Sequence, residues 1–343
     1  MKKHDTTPSL IIEGVGELIK IDPIQSLWSG YGEISRYALI SDRSQSYVLK
    51  HVKLPDQANH PRGWNTDLSH QRKVTSYHVE TTWYRAFSHQ CDGLCRVPRC
   101  VHLSSSETEF LMVLEDLDAC GFANRRSVAS LDDMKACLDW LANFHALFMM
   151  TKAEGLWPKG TYWHLDTRPD ELEAMSDLTL KAAASSIDQL LDDCPYQTLV
   201  HGDAKLANFC FKDREGFEFT VGFEETVDDL PNVAAVDFQY VGGGCGMKDV
   251  AYFIGSCLDE HGCEQHHQVL LDHYFDVLKQ AILDRDQGIN PDDVEQAWRP
   301  LFAVAWADFH RFLQGWSPDH WKLHGFSDRL TRQALANLSL RDC

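Results

Sequence analysis

The sequence predicts an α+β fold in two parts: an antiparallel β-rich N-terminal part with one long helix, and a mainly helical C-terminal part. Two observations support this prediction. Short runs of β-branched and aromatic residues, separated by polar turns, dominate residues 1–117, whereas apolar residues recur at helical spacing through most of residues 118–343. We therefore expect two domains that meet at residue 117.

The N-terminal part is predicted to begin with a meander of short strands over residues 10–54, followed by a helix over residues 69–87. Val79, Trp83 and Phe87 recur at helical spacing in the second of these segments. Turn-forming residues separate neighbouring strands, which is typical of a meander. The predicted strands include SRYALI, SYVLKHVKL, RVPRCVHL and EFLMVLEDL.

The C-terminal part is predicted to be helical except for a β-like island around residue 200. The predicted helices span residues 131–152, 169–193, 248–260, 264–284, 292–314 and 327–339. The β-like segments are TLVHGD (198–203), NFCFKD (208–213), FEFTVGF (217–223) and VAAVDF (233–238). Loops held by a rigid scaffold concentrate functional groups, so the polar loop that joins the first two segments is the candidate site.

Composition narrows the class of protein. The formal net charge of −19 would repel a phosphate backbone, so nucleic acid is not an expected partner. The chain has no apolar run of about 18 residues, and the apolar patch near its start is too short for a signal peptide. We therefore expect neither a membrane partner nor export. Eleven cysteines, odd in number and irregular in spacing, favour a reducing compartment, with the cytoplasm as the expected location.

The segment HGDAKLANF, residues 201–209, places a carboxylate and an amide at a spacing used for phosphoryl transfer. Asp203 and Asn208 stand as far apart as the aspartate and asparagine of the protein-kinase motif H-R-D-x-x-x-x-N. Asp237, in VAAVDFQ, adds a second acid after a later β-like segment. Carboxylate and amide oxygens suit Mg²⁺. The structural alternative is an Asx turn, in which the Asp203 carboxylate only caps its own loop.

Three residues near Asp203 have expected supporting roles. Lys205 would neutralise the transferring phosphoryl group, or else form a surface salt bridge. His201 is expected to orient the loop backbone, and Asp249 to brace the loop from the start of a helix.

The N-terminal part offers candidate nucleotide-binding residues. Lys50 lies inside the apolar strand YVLKHVKL, where an unpaired ammonium would be costly unless it met an anion such as phosphate. In kinases such a strand lysine pairs with a helix glutamate. Glu80 on the following helix is the candidate partner, and a helix-surface acid is the alternative. Lys53 would project from the opposite face of the strand and be exposed.

Two further segments complete the candidate nucleotide site. Gly30 and Gly32 would let a loop between two strands approach the phosphates closely, although a plain hairpin turn explains them equally well. Main-chain groups of the connection between the two parts would hydrogen-bond adenine. This connection consists of Leu114, Glu115, Asp116 and Leu117.

The segments HGDAKLANF, AAVDFQ and KDVAYFIG together resemble the phosphotransferases related to choline kinase and aminoglycoside phosphotransferase, and most closely the ecdysteroid-kinase-like branch. The resemblance runs over most of the chain. It implies a two-lobed protein-kinase-like fold, with ATP and Mg²⁺ in the cleft and a small-molecule hydroxyl as acceptor. By the same resemblance Asp203 is the catalytic base, and Asn208 and Asp237 bind the metal.

The sequence leaves more than one interpretation of the acceptor and of the activity. Four tryptophans of the late helices would form an aromatic, acidic pocket for a cation together with Asp308, or else pack in the core. These are Trp298, Trp306, Trp316 and Trp321. A catalytically silent kinase fold that serves as a nucleotide sensor or scaffold is the alternative function. The local cysteine and histidine clusters match no zinc motif, and buried thiols with surface histidines explain them.

Overall fold

The computed structural model describes residues 9–27, 30–54, 67–212 and 232–339. In the N-terminal lobe the strands are β1 (Ser9–Ile12), β2 (Gly16–Ser26), β3 (Gly32–Leu39), β4 (Ser46–Lys53), β5 (Cys100–Ser105) and β6 (Glu109–Glu115). They form one antiparallel sheet in the order β1-β2-β3-β4-β6-β5. Helix α1 (Asp67–Ala86) lies between β4 and β5 in the chain.

The C-terminal lobe is built mainly from helices. They are α2 (Leu131–Leu147), α3 (Pro169–Ala174), α4 (Leu178–Asp192), α5 (Met247–Cys257), α6 (Glu260–Arg285), α7 (Pro291–Trp298), α8 (Leu301–Trp316) and α9 (Gly325–Ser339). The short strands are β7 (Thr198–Val200), β8 (Phe209–Phe211), β9 (Val233–Ala235) and β10 (Gly242–Gly244). Strand β7 pairs with β10, and β8 pairs with β9. The predicted α+β architecture is confirmed. Within the described ranges, no helix combines the length and apolar character that crossing a membrane requires.

Two predicted helices are each divided in the structure. The predicted helix 169–193 becomes α3 and α4, because the Asp177 carboxylate accepts N–H bonds at the start of α4 and caps a new helix there. The predicted helix 292–314 becomes α7 and α8. Pro300 has no amide hydrogen to donate back into α7, so the second helix begins after it.

The β-like island contains one strand that was not predicted, and one predicted strand lies outside the described residues. Strand β10 was not predicted, because its GGG sequence carries no side-chain pattern. The predicted strand 217–223 lies outside the described residues. The predicted boundary at residue 117 falls in the connection between β6 and α2, and the division into two domains at that point stays a prediction.

Trp83 of α1 packs the N-terminal lobe against the C-terminal lobe. Its fully buried ring stacks on Phe238, with 4.4 Å between ring centroids. It also contacts Phe144 and Phe148, near the end of α2, at 5.7 and 5.6 Å. Glu80 lies one helical turn before Trp83, so this packing orients Glu80 in the cleft between the lobes.

The assignment of α2 to the core can be tested with two leucines. Leu138→Ala is expected to lower the free energy of unfolding by about 2–5 kcal/mol, because the side chain is fully buried and its loss leaves a cavity. Leu178→Ala, the same change at a residue that is 74% exposed, should alter it by less than about 0.5 kcal/mol. Urea unfolding followed by circular dichroism measures both. Equal losses would contradict the assignment.

Candidate active site

The loop between β7 and β8 carries Asp203 and is braced from α5 by Asp249. The Asp249 carboxylate accepts the main-chain N–H groups of His201 at 2.6 Å and of Gly202 at 2.9 Å. His145 of α2 lies 3.2 Å from the same carboxylate. Asp249 is fully buried, so these partners compensate its burial. The structure thus places Asp249 in the bracing position that the sequence suggested.

His201 and Gly202 shape the loop itself. The His201 ring donates from Nε2 to the main-chain oxygen of Val236 at 3.0 Å and accepts the Asp203 N–H at Nδ1. His201 therefore ties the loop to the segment that follows β9. Gly202 has φ +78°, and a Cβ there would lie 2.1 Å from the main-chain oxygen of Tyr240. This close approach requires glycine.

Three side chains hold the carboxylate of Asp203. Lys205 Nζ donates to Oδ2 at 2.8 Å and Asn208 Nδ2 donates to the same oxygen at 3.2 Å. Tyr252 of α5 donates its hydroxyl to Oδ1 at 3.1 Å. Within the described parts of the chain no main-chain N–H group of the loop donates to this carboxylate, which speaks against the Asx-turn alternative. Burial raises the pKa of Asp203, and the nearby charge of Asp237 adds to that rise.

Asn208 and Asp237 together offer oxygen ligands for a metal. The Asn208 amide nitrogen donates to Asp203, which leaves the amide oxygen as the atom for a cation. Asp237 follows β9 with φ +70°, a conformation uncommon outside glycine, and its side chain is 37% exposed. Burial acts to raise the pKa of Asp237, but Lys50 and Lys73 outweigh it and lower that pKa. The carboxylate is therefore held ionised, as a metal ligand must be.

Lys50 of β4 forms a buried ion pair with Glu80 of α1. Lys50 Nζ lies 2.8 and 2.6 Å from the two Glu80 carboxylate oxygens and 3.5 Å from Asp237 Oδ1. Burial lowers the pKa of Lys50, but the two carboxylates outweigh burial and raise it above its ordinary value. Glu80 is 1% exposed, so the surface-acid alternative is wrong. Lys53 projects to solvent as expected.

A further lysine, which the sequence analysis missed, points into the same cleft. Lys73 Nζ donates to Gln239 Oε1 at 2.7 Å. Burial lowers the pKa of Lys73 to about 8, and Asp237 partly offsets that fall. Lys73 precedes Glu80 by two helical turns and shares its face of α1, which is the signal that would have found it.

Gly30 and Gly32 lie at the turn between β2 and β3. The Leu27 N–H donates to the Gly32 oxygen at 2.8 Å, next to the antiparallel pairing of β2 with β3. At Gly32, a Cβ would lie 1.9 Å from the main-chain oxygen of His51, so the sheet itself requires this glycine. Contact of either glycine with phosphate stays a prediction.

Of the predicted connection 114–117, the first two residues belong to β6, and both acidic side chains are already engaged. Glu115 accepts from Arg96 at 2.6 Å, and Asp116 accepts from Arg36 at 2.7 Å. Their carboxylates therefore serve the framework of the lobe. Recognition of adenine by main-chain groups of this connection stays a prediction.

The predicted aromatic, acidic acceptor pocket is not assembled. Trp298 and Trp306 are buried in the core, and the other two tryptophans of the set are largely exposed. Asp308 is neutralised by Arg311 at 2.6 Å and accepts from Trp163 at 2.9 Å. The residue that reaches Asp203 from the C-terminal helices is instead Tyr252. It lies three residues after Asp249 on one face of α5, and this spacing was the available sequence signal.

The two-lobed fold, the buried lysine–glutamate pair and the loop with Asp203 and Asn208 define the protein-kinase-like class of phosphotransferases. A sequence model of the ecdysteroid kinase-like family matches residues 40–159 and 157–285, and the chain belongs to that family. The chain is thus a small-molecule kinase, as the sequence motifs predicted. No curated protein matches the sequence.

Several solved structures are similar to this chain at low sequence identity. An amicoumacin kinase, hAmiN, in complex with AMP-PNP, Ca²⁺ and Ami is 13% identical with a TM-score of 0.48, over 92% of this chain and 88% of that one. An ethanolamine kinase of Plasmodium vivax is 11% identical with a TM-score of 0.48, over 97% and 83%. The choline kinase LicA of Streptococcus pneumoniae is 12% identical with a TM-score of 0.43, over 93% and 95%.

The bracing of the loop can be tested at Asp249. Asp249→Asn replaces one accepting oxygen by an NH₂ group, which would leave a buried main-chain N–H without an acceptor. We expect the free energy of unfolding to fall by about 1–3 kcal/mol. The control is Asp259→Asn, at the exposed N-cap of α6, where asparagine caps as well as aspartate. Chemical denaturation compares the two variants, and an unchanged stability of Asp249→Asn would contradict the bracing role.

Proposed function

We propose that this chain transfers the γ-phosphoryl group of ATP to a hydroxyl group of a small molecule, with Mg²⁺ in the cleft. The observation that carries the proposal is that one site unites groups far apart in the sequence. Lys50 of β4 pairs with Glu80 of α1 and approaches Asp237, while Asp203 and Asn208 share a hydrogen bond on the facing loop. A cytoplasmic location is supported by the cysteines of the described ranges, which are free thiols.

Lys50 and Lys73 are the proposed phosphate ligands. Glu80 holds the Lys50 ammonium in the cleft, and Gln239 does the same for Lys73. Burial acts to lower the pKa of each lysine and the charge of the Asp237 carboxylate acts to raise it, so both ammonium groups lie near the proposed metal site. Two cations there would offset the negative charge of the nucleotide phosphates.

Asn208 and Asp237 are the proposed metal ligands. Both provide hard oxygen donors, and the partly exposed Asp237 carboxylate is open to the cleft. When bound, Mg²⁺ would neutralise charge on the β- and γ-phosphate oxygens. Asn208 also ties this pair to the base, because its amide nitrogen donates to Asp203.

Asp203 is the proposed base and Lys205 its electrostatic partner. A carboxylate oxygen accepts about two hydrogen bonds, and the described contacts of Oδ1 comprise only the Tyr252 hydroxyl. Oδ1 can therefore orient an acceptor hydroxyl and take its proton. Lys205, on Oδ2, stands where it can stabilise charge on the transferring phosphoryl group.

The direct test of the function is substrate-dependent ADP release. Purified protein with ATP and Mg²⁺ is screened against a library of hydroxyl-bearing metabolites. Turnover that requires both an acceptor and Mg²⁺ would support the kinase. Thermal stabilisation by ATP without turnover on any acceptor would favour the nucleotide sensor or scaffold instead.

Asp203→Asn is expected to cut turnover by roughly 10²–10⁴-fold with little change in ATP affinity, because it removes the carboxylate that orients and deprotonates the acceptor. Turnover on the identified acceptor is compared with ATP affinity from calorimetry. Near-normal turnover would overturn the assignment of the base. Joint loss of ATP binding and folding would leave Asp203 with a structural role alone.

Lys50→Ala and Glu80→Ala are each expected to weaken ATP binding, and Lys50→Ala the more strongly, since Glu80 acts through Lys50. The double variant should lose much less than the sum, with a coupling free energy of about 0.5–3 kcal/mol. The matched control is the exposed pair of Lys53 and Glu109, 3.3 Å apart at the end of β4, whose removal should leave ATP affinity unchanged. Calorimetry measures each variant, and strictly additive losses at Lys50 and Glu80 would contradict the pairing.

A further inference from the structure

Lys322, in the connection between α8 and α9, lies among three aromatic rings. Its Nζ is 4.9 Å from the ring centroid of Tyr252, 5.3 Å from that of Phe309 and 5.6 Å from that of Trp321. These four residues form what we call the lysine cage. Cation–π attraction operates at such distances. The chain's own lysine thus fills the kind of aromatic site that would otherwise attract a substrate cation.

The lysine cage contains a positive charge without a matching carboxylate. No carboxylate oxygen in the described parts of the chain lies within 4.0 Å of Lys322 Nζ, whereas the nearest one lies 2.6 Å from Lys50 Nζ and 2.8 Å from Lys205 Nζ. Burial lowers the pKa of Lys322 to about 8, and the more distant Asp203 partly offsets that fall. An anion brought to this ammonium would therefore gain a strong, partly desolvated interaction.

The cage adjoins the proposed catalytic base. Tyr252, whose ring faces Lys322, donates its hydroxyl to Asp203, so one tyrosine side chain separates the ammonium from the base. A small cavity of about 10 Å³ beside Lys322 has room for only about one water. Among the three rings of the cage Trp321 is the exposed one, at 55%, so a ligand group would approach past Trp321.

We propose that the lysine cage binds an anionic group, such as a carboxylate, of the hydroxyl acceptor and disfavours cationic acceptors. This inference rests on the proposed function, since the acceptor hydroxyl must reach Asp203. Lys322 would form a charge-assisted hydrogen bond with the anion, and the rings would cover the apolar part of the acceptor. A cationic acceptor would be repelled by the Lys322 ammonium, which already occupies the aromatic faces that would otherwise attract it. The chain is acidic overall, yet this corner of the site is basic.

The test uses three probes of one skeleton: para-(hydroxymethyl)benzoate, its amide and the corresponding benzylamine. Acetylation of Lys322 by acetic anhydride reports occupancy of the cage without any turnover. Mass spectrometry reads it relative to acetylation of the exposed Lys152 in the same sample, because reagent consumed by the amine probe lowers both alike. We expect the benzoate to slow this acetylation and the amine to leave it unchanged. Equal protection by the three probes, or protection by none, would overturn the inference.

Charge reversal provides the second arm of the test. In Lys322→Glu the preference for the benzoate over the amine, measured by binding and by ADP release, should shift by about 10- to 100-fold towards the amine. Lys322→Gln should abolish most of the preference. The matched control is Lys152→Gln, an exposed lysine between α2 and α3, which should retain it. An unchanged preference in a folded Lys322→Glu variant would refute the proposal.

The outcomes separate this inference from the proposed function. If the benzoate protects Lys322 but no acceptor supports ADP release, the anion site stands and the kinase proposal fails. If acceptors turn over but the amine or the amide is preferred in the unaltered protein, the kinase proposal stands and the anion site fails. Should the variants at Lys322 not fold, protection in the unaltered protein decides.

Discussion

The buried ammonium of Lys50 is the interaction on which the arrangement of the site depends. Its burial would cost several kcal/mol without compensating charges, and Glu80 and Asp237 supply them from two other elements. One charge therefore fixes two distances, from β4 to α1 within the N-terminal lobe and from β4 to the segment after β9, which joins the two lobes. Trp83 supports the same arrangement by stacking on Phe238, the neighbour of Asp237.

A second buried network positions the loop with the proposed base. Asp249 accepts the amides of His201 and Gly202, and His201 reaches across to Val236 near Asp237. The loop is therefore held by α5 on one side and by the segment after β9 on the other. Because Asp249 accepts the loop amides, the Asp203 carboxylate accepts hydrogen bonds from side chains and is available to a substrate.

The local electrostatics of the site oppose the overall charge of the chain. The protein carries a net charge of −19, yet four lysines surround the proposed reaction centre. They are Lys50, Lys73, Lys205 and Lys322. A nucleotide and its transferring phosphoryl group need such a local excess of positive charge, because fields at short range in a partly buried cleft are screened less than those at the surface. Net charge by itself therefore did not indicate the proposed nucleotide ligand, and the expectation that nucleic acid is not a partner stays a prediction.

The sequence by itself determined the features that depend on the spacing of neighbouring residues, namely most helices and the phosphoryl-transfer motif. The periodicity of the apolar residues predicted α1 and most later helices, and the distance from Asp203 to Asn208 indicated phosphoryl transfer, because both signals span only a few residues. The sequence also indicated a functional role for Lys50, since a charged side chain inside an apolar strand needs a partner of opposite charge. The kinase pattern named Glu80 as the candidate partner of Lys50. Only the tertiary structure decided that this pair forms, that Asp237 joins it, that β10 pairs with β7, and that Lys322 occupies the aromatic surroundings of Tyr252. Such contacts join residues tens to hundreds of positions apart, and a distance between folded elements leaves no trace in the spacing of either one.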